Sequence, residues 1–291
     1  MLIPPSILQL PMLRYFFFAP VTVMLLLTAC SKKEQSHPVS LNYAAYSDLR
    51  YGTGEAQKMD LYLPRERSTS ATPLVVMIHG GGWHGGDKSA FFASQIRLFT
   101  DKGYAVANIN YRIVTEYSNQ YPTQLGDIDS ALAFLQSNRE ALHINTGDVT
   151  LMGRSAGAHL ALLYAYVGHQ PRHFRAVIDF FGPADLSAPD VHDSTLKGDA
   201  DEFLGKPYAG NEQLWRDASP MFHLGGAVPT YIFQGALDNI VFPIQSQRLR
   251  DSLAAHSIPF EFDTDQVGHG LDSAGWIKYT TNAMLFLDKV H

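Results

Sequence analysis

The sequence predicts an α/β fold in which one mostly parallel sheet of about eight strands carries helices on both faces. Two patterns lead to this. Short β-branched or aromatic runs alternate with longer amphipathic stretches, as they do in strand–helix–strand units. The runs at 73–79 (PLVVMIH) and 175–181 (RAVIDFF) are apolar almost without interruption, as expected of strands covered on both sides. Composition agrees: 291 residues, 46% hydrophobic and 17% charged, suit a folded chain with a single large core.

Taken in order, strands are expected near 43–49, 59–63, 74–79, 105–110, 149–152, 176–181, 230–234 and 260–263, and helices at 88–102, 124–137, 156–167, 243–256 and 273–290. Asp87 can cap the first helix, Gly103 can end it, and Pro243 suits a first helical turn. A polar stretch at about 184–228, rich in Asp and Pro, is longer than an ordinary connection and reads as a lid, a substrate wall or a surface embellishment.

The net charge of −6 comes without a Lys/Arg cluster, which argues against nucleic acid as a partner. Cys30 is the single cysteine, so no internal disulfide or Cys-based metal site is available. Before it, Arg14 and the apolar residues 15–29 (YFFFAPVTVMLLLTA) lead into the polar SKKEQSHP. That run is short for a bilayer span and has the form of a secretory leader. Leu27-Thr28-Ala29-Cys30 resembles the lipobox of bacterial lipoproteins. The resemblance implies a leader at 1–29, a lipid on Cys30 that attaches the protein to a membrane, a linker at 30–42, a domain at 43–291 and, with Ser31 next, the outer membrane. Met12 would open a leader of more usual length than Met1.

The chemistry centres on Gly153-Arg154-Ser155-Ala156-Gly157, a G-x-S-x-G between the strand VTLM and the helix AHLALLYAYV. A sharp strand-to-helix turn strains the serine backbone and needs neighbours without side chains. It also presents the hydroxyl over a helix N-terminus, whose dipole favours an anion. Upstream, His79-Gly80-Gly81-Gly82-Trp83 follows a central strand. Backbone N–H groups can close on a developing oxyanion only where side chains are absent, and this loop together with the N–H of Ala156 supplies them.

A serine hydroxyl needs a base, and the base needs an anion to hold its tautomer. Among twelve histidines, His37 and His291 lie at the ends, His159 is one turn along the serine helix and His79 belongs to the glycine loop. His269, in a Gly-flanked loop after the final strand, is best placed. Asp238, at the end of the strand TYIFQ, completes the order Ser, Asp, His; Asp263 and Asp265 rank second. Trp83, His84 and Arg154 are candidate substrate contacts. Tyr111, Arg112, Asp127 and His159 read as structural hydrogen bonding behind the serine turn. No HExxH, Walker or complete G-x-G-x-x-G pattern is present, so neither metal nor organic cofactor is called for.

Together these pieces resemble the α/β-hydrolase superfamily, and within it the carboxylesterases of the BD-FAE and hormone-sensitive-lipase-like branch, from about Tyr51 to the C-terminus. Further matching segments are Met59-Asp60-Leu61-Tyr62-Leu63-Pro64, Asn110-Tyr111-Arg112, Tyr121-Pro122 with Asp127, and Ala218-Ser219-Pro220. The resemblance implies Ser155 as nucleophile, His269 as base and acid, Asp238 as its orienter, and Gly81, Gly82 and Ala156 as oxyanion donors. The implied activity is hydrolysis of small to medium carboxylic esters through an acyl-enzyme, on a free or polysaccharide-linked ester. Arg154, where the hormone-sensitive-lipase branch often has an acidic residue, and the lack of that branch's long N-terminal cap leave the acyl and alcohol preferences open. An amide or peptide hydrolase of formamidase or aminoacyl peptidase type, and a non-catalytic binding lipoprotein, are the alternatives.

Overall fold

In the computed structural model, residues 39–168 and 174–290 are described; Cys30 and the leader lie outside them. All eight expected strands form: β1 (Ala44–Arg50), β2 (Lys58–Leu63), β3 (Leu74–Ile78), β4 (Ala105–Ile109), β5 (Val149–Arg154), β6 (Phe174–Phe180), β7 (Thr230–Gly235) and β8 (Phe260–Asp265). They build one sheet in the order β8-β7-β6-β5-β3-β4-β2-β1. Only the pairs β1–β2 and β2–β4 are antiparallel. Every residue of β3, β4 and β5 is buried, which is why β3 reads as an unbroken apolar run, whereas edge strand β8 stays partly exposed. A short ribbon pairs Val39–Ser40 with Glu66–Arg67, so the expected linker ends in paired backbone.

The main helices are α1 (Ala93–Asp101), α2 (Thr123–Ser137), α3 (Ala156–Val167), α4 (Leu196–Leu204), α5 (Ile244–Ala255) and α6 (Ser273–Leu287). Leu125, Ile128, Leu160 and Leu249 pack with Val76, Ile78 and Leu151 on one face. Ile96, Phe99, Trp276 and Tyr279 pack with Val75, Met77 and Met152 on the other. The alternation of Leu151 and Met152 between these clusters is the two-residue period of a strand. Helix α3 is buried on all sides from Ala156 to Tyr166, matching its uniformly apolar sequence.

The expected helix 88–102 is in fact a 3-10 turn, Lys88–Ala90, capped by Asp87, followed after a break by α1. Side chains from the sheet cause the break. Asn108 Nδ2 donates to Lys88 O, and Arg154 donates to Ala90 O, which pins the turn to the sheet while Phe91 leaves it in an extended conformation. Gly103, at φ +85°, follows the end of α1 as expected. The last helix stops at Leu287, three residues early.

The 184–228 insertion is a packed wall of short helices, Pro189–His192, α4 and Glu212–Asp217. Phe203 and Trp215 are fully buried in it. Gln245 of α5 ties its start down, its Oε1 accepting from the N–H groups of Ala184 and Asp185 at 3.0 and 2.8 Å. The deepest joint is aromatic: the Trp83 ring stacks on Phe203 at 4.6 Å and meets the buried His159 edge-on. Trp83 Nε1–H donates to His159 Nδ1 at 3.3 Å, which makes Nε2 the protonated nitrogen that donates to Ala218 O at 2.7 Å.

A neutral imidazole satisfies both contacts, while a second ring proton would face the indole N–H. Burial accordingly pushes the His159 pKa down to about 4, against the smaller opposing effect of the Ala218 carbonyl. The unfolded chain gains this proton as pH falls below about 6.5 and the folded chain resists it until about 4. The stabilisation is therefore complete above that window and lost as pH falls through it. His159→Gln keeps one acceptor and one donor without titrating. Its melting temperature is expected to fall less than that of the wild type between pH 6.5 and pH 4; parallel falls in calorimetry would assign the acid sensitivity elsewhere.

Candidate active site

The Ser155 backbone sits at φ 52°, ψ −123°, a strained conformation costing on the order of 1–3 kcal/mol. Ser155 N–H donates to Phe180 O at 2.9 Å, and its carbonyl accepts from Ala158 and His159 at 2.9 and 3.0 Å. The flanking glycines permit the turn. A Cβ on Gly153 would lie 2.3 Å from Ala158 N, and one on Gly157 would lie 2.2 Å from Ile78 O. Strand β3 and helix α3 therefore touch through bare backbone, which brings the end of β3 beside the serine.

From the loop after β8, His269 Nε2 lies 2.9 Å from Ser155 Oγ, and His269 Nδ1 lies 2.7 Å from Asp238 Oδ2. Asp238, 3% exposed, is held by four hydrogen bonds. Oδ1 accepts from Ile240 and Val241 N–H at 2.9 and 3.0 Å, and Oδ2 accepts from Gln234 Nε2 at 3.0 Å as well as from His269. Since a buried carboxylate can only accept, Nδ1 of His269 carries the proton and Nε2 presents a lone pair to the serine hydroxyl. Phe181, at φ 49°, packs its ring 4.7 Å from the imidazole and limits its rotation. This arrangement can draw the hydroxyl proton onto His269 and stabilise the resulting imidazolium against the Asp238 carboxylate.

The glycine loop lies against the same turn: a Cβ on Gly80 would be 3.2 Å from Ser155 Cβ and 2.8 Å from Arg154 O. Gly81 and Gly82 take φ +116° and +59°, which L side chains rarely adopt. Among the described residues, no hydrogen bond engages the N–H of Gly81, Gly82 or Ala156. Open donors at a helix N-terminus beside a nucleophile are the elements of an oxyanion site.

Two expected substrate contacts are corrected. Trp83 is fully buried, because its large apolar ring gains more against Phe203 than at a cleft mouth and its N–H finds His159. Arg154 points to the opposite face of the sheet, as the residue before the turn on strand β5. Its guanidinium lies 3.7 Å from the Trp276 ring centroid and 4.3 Å from that of Phe91, and it bonds Ala90 O and Gln95. His84 stays exposed, paired with Asp199 of α4.

Asp263 and Asp265 accept from Tyr231 and Tyr279 on the sheet edge, while His269 bonds Asp238. Behind the turn, Tyr111 donates to His79 O and Arg112 grips Asp127 bidentately. Gln234, Phe181 and Asp199 escaped sequence reasoning. Gln234 left one signal, an amide closing an otherwise apolar buried strand.

A strained serine at a strand-to-helix turn, engaged by a histidine after the last strand and an aspartate after the one before it, on this sheet order, places the molecule among α/β-hydrolase folds. The BD-FAE family model matches residues 59–253, and the chain belongs to that family. Among curated relatives, the probable carboxylic ester hydrolase LipM of Mycobacterium tuberculosis is 27% identical over 71% of this chain and 51% of its own length. The chain thus spans about half of that relative. Two solved structures share the fold. A truncated carbohydrate esterase from gut microbiota has a TM-score of 0.72 at 21% identity, covering 87% of this chain and 99% of its own. Phosphonate-inhibited esterase B of Lactobacillus rhamnosis scores 0.70 at 23% identity, covering 87% and 88%.

The elbow geometry predicts that Gly157→Ala, whose added methyl meets the backbone of Ile78 and His79, lowers the melting temperature by roughly 5–10 °C and removes most turnover. Gly126→Ala is the control, since its Cβ enters open space on an exposed position of α2. That variant should melt at or slightly above the wild-type temperature.

Proposed function

We propose that this protein is a serine carboxylesterase that hydrolyses small to medium carboxylic esters. The observation that carries this reading is the unbroken hydrogen-bond line from Ser155 Oγ through His269 to the buried Asp238. Membership of the BD-FAE family and the ester-hydrolase relatives support it. His269 Nε2 takes the Ser155 proton as Oγ attacks the ester carbonyl. The electron pair of the C=O moves onto oxygen, where the N–H groups of Gly81, Gly82 and Ala156 receive it. Collapse expels the alkoxide, which takes the proton from His269 and leaves an acyl-serine. Water, deprotonated by the same imidazole, then releases the acid.

A fluorophosphonate should label the wild type and not Ser155→Ala. Asp238→Asn, which no longer dictates the imidazole tautomer, is expected to lower kcat about 10⁴-fold on p-nitrophenyl acetate with the fold intact. Absence of labelling would favour a non-catalytic binding protein. Faster turnover of aminoacyl anilides or N-formylkynurenine than of esters would replace the ester reading with amide hydrolysis.

We also propose export and attachment to the outer membrane through a lipid on Cys30. Support comes from the apolar run at 15–29 behind Arg14 and from Leu27-Thr28-Ala29-Cys30, all outside the described residues. Among the described residues no helix is long and apolar enough to cross a membrane. A palmitate analogue should label the precursor expressed in bacteria and fail to label Cys30→Ala; lipid on the variant would dismiss the anchor.

A further inference from the structure

The His84–Asp199 pair joins the glycine loop to the insertion across 115 positions of sequence, His84 Nε2 lying 3.1 Å from Asp199 Oδ1. Both side chains remain solvent-accessible, 42% and 36%. They sit directly against Gly82: a Cβ there would lie 2.6 Å from Asp199 Oδ2 and 2.8 Å from His84 Nε2. The pair thus borders a residue whose N–H is a proposed oxyanion donor.

Neither transition-state charge nor helix stability accounts for an acid at this place. A carboxylate beside an oxyanion site opposes the charge that site would hold, so Asp199 is not there for transition-state electrostatics. Its place in the first turn of α4 complements the helix dipole, but that explains neither the reach of His84 nor the packing of both groups onto Gly82.

Hydrogen-bonding capacity is more informative. With Nε2–H of His84 donated to Asp199 Oδ1, the pair retains two acceptors, Asp199 Oδ2 and His84 Nδ1. Neither has a partner among the described residues. A carboxylate bridged to an imidazole in this way offers no spare donor, so it matches a substrate that brings hydroxyl groups and mismatches an alkyl chain, which would leave those acceptors without partners.

We propose that Asp199, held by His84, is a specificity-determining residue that takes a hydrogen bond from a hydroxyl on the ester substrate next to its reacting carbonyl. The proposal rests on the ester-hydrolase reading. It requires the hydroxyl to be recognised by an insertion residue rather than by the triad or the glycine loop.

The test compares two acetates of cyclic alcohols, a monoacetylated methyl xyloside and cyclohexyl acetate, which share the acyl group and differ in the two free hydroxyls and the acetal oxygens of the sugar; of these only the hydroxyls can donate to Asp199. Asp199→Asn and Asp199→Ala are expected to lower the ratio of kcat/KM for the xyloside over cyclohexyl acetate about tenfold or more, chiefly by raising KM for the xyloside. His84→Phe, which removes the bridge, should shift the ratio in the same direction. A merely structural role would reduce both rates together, so an unchanged ratio overturns the proposal.

A second measurement does not depend on turnover. Binding of methyl xyloside to Ser155→Ala protein, followed by saturation-transfer NMR, should weaken at least about fivefold when Asp199→Asn is added. Equal binding by the two proteins also overturns the proposal. Failure of the wild type to turn over any ester, with xyloside binding still sensitive to Asp199, would instead remove the ester reading and leave the binding assignment standing.

Discussion

The active centre depends on one close approach, where the N-terminal turn of α3 lies against the last carbonyls of β3. Gly157 has no room for a methyl group between them. This contact joins two chain segments far apart in sequence: the strand whose loop carries the glycines, and the helix whose first residue follows the nucleophile. Packing of backbone on backbone places Gly80 against Ser155 and leaves open N–H groups beside the hydroxyl. The strain at Ser155 persists because strand pairing on one side and helical hydrogen bonds on the other over-determine its position.

The acid side is rigid for a different reason. A buried carboxylate is tolerable only when its lone pairs are engaged, and Asp238 meets that condition with two backbone donors, Gln234 and His269. Gln234 is itself oriented by Ser246 of α5, which donates to its Oε1. The orientation of the imidazole therefore traces back to a satisfied polar network inside an apolar domain. Such a network favours one arrangement because any partial version leaves a buried group without a partner.

The insertion gives the fold its individual character. Trp83, Phe203 and His159 lock it to the glycine loop and to α3 through aromatic packing and two hydrogen bonds. Above that joint, its exposed polar groups border the reacting centre. The same helix, α4, supplies Phe203 to the core and Asp199 to the rim, so anchoring and any contact with substrate are coupled through a single element.

Read alone, the sequence determined all eight strands, the helix behind Ser155, and Ser155, Asp238 and His269 as the residues to bring together. Apolar periodicity and the glycines around the turn are local features that follow from short-range sterics and burial, while Asp238 and His269 were picked out by the chain order that the α/β-hydrolase resemblance carries. Only the tertiary structure decided that Trp83 and Arg154 turn inward, that 88–102 breaks in two, and that Gln234 and Asp199 stand behind and beside the site. Each of these depends on partners contributed by remote segments: Phe203 for the indole, Trp276 for the guanidinium, Asn108 for the carbonyl of Lys88. A side chain's own chemistry states what it needs, but the neighbours that meet the need are set by packing, which no local pattern encodes.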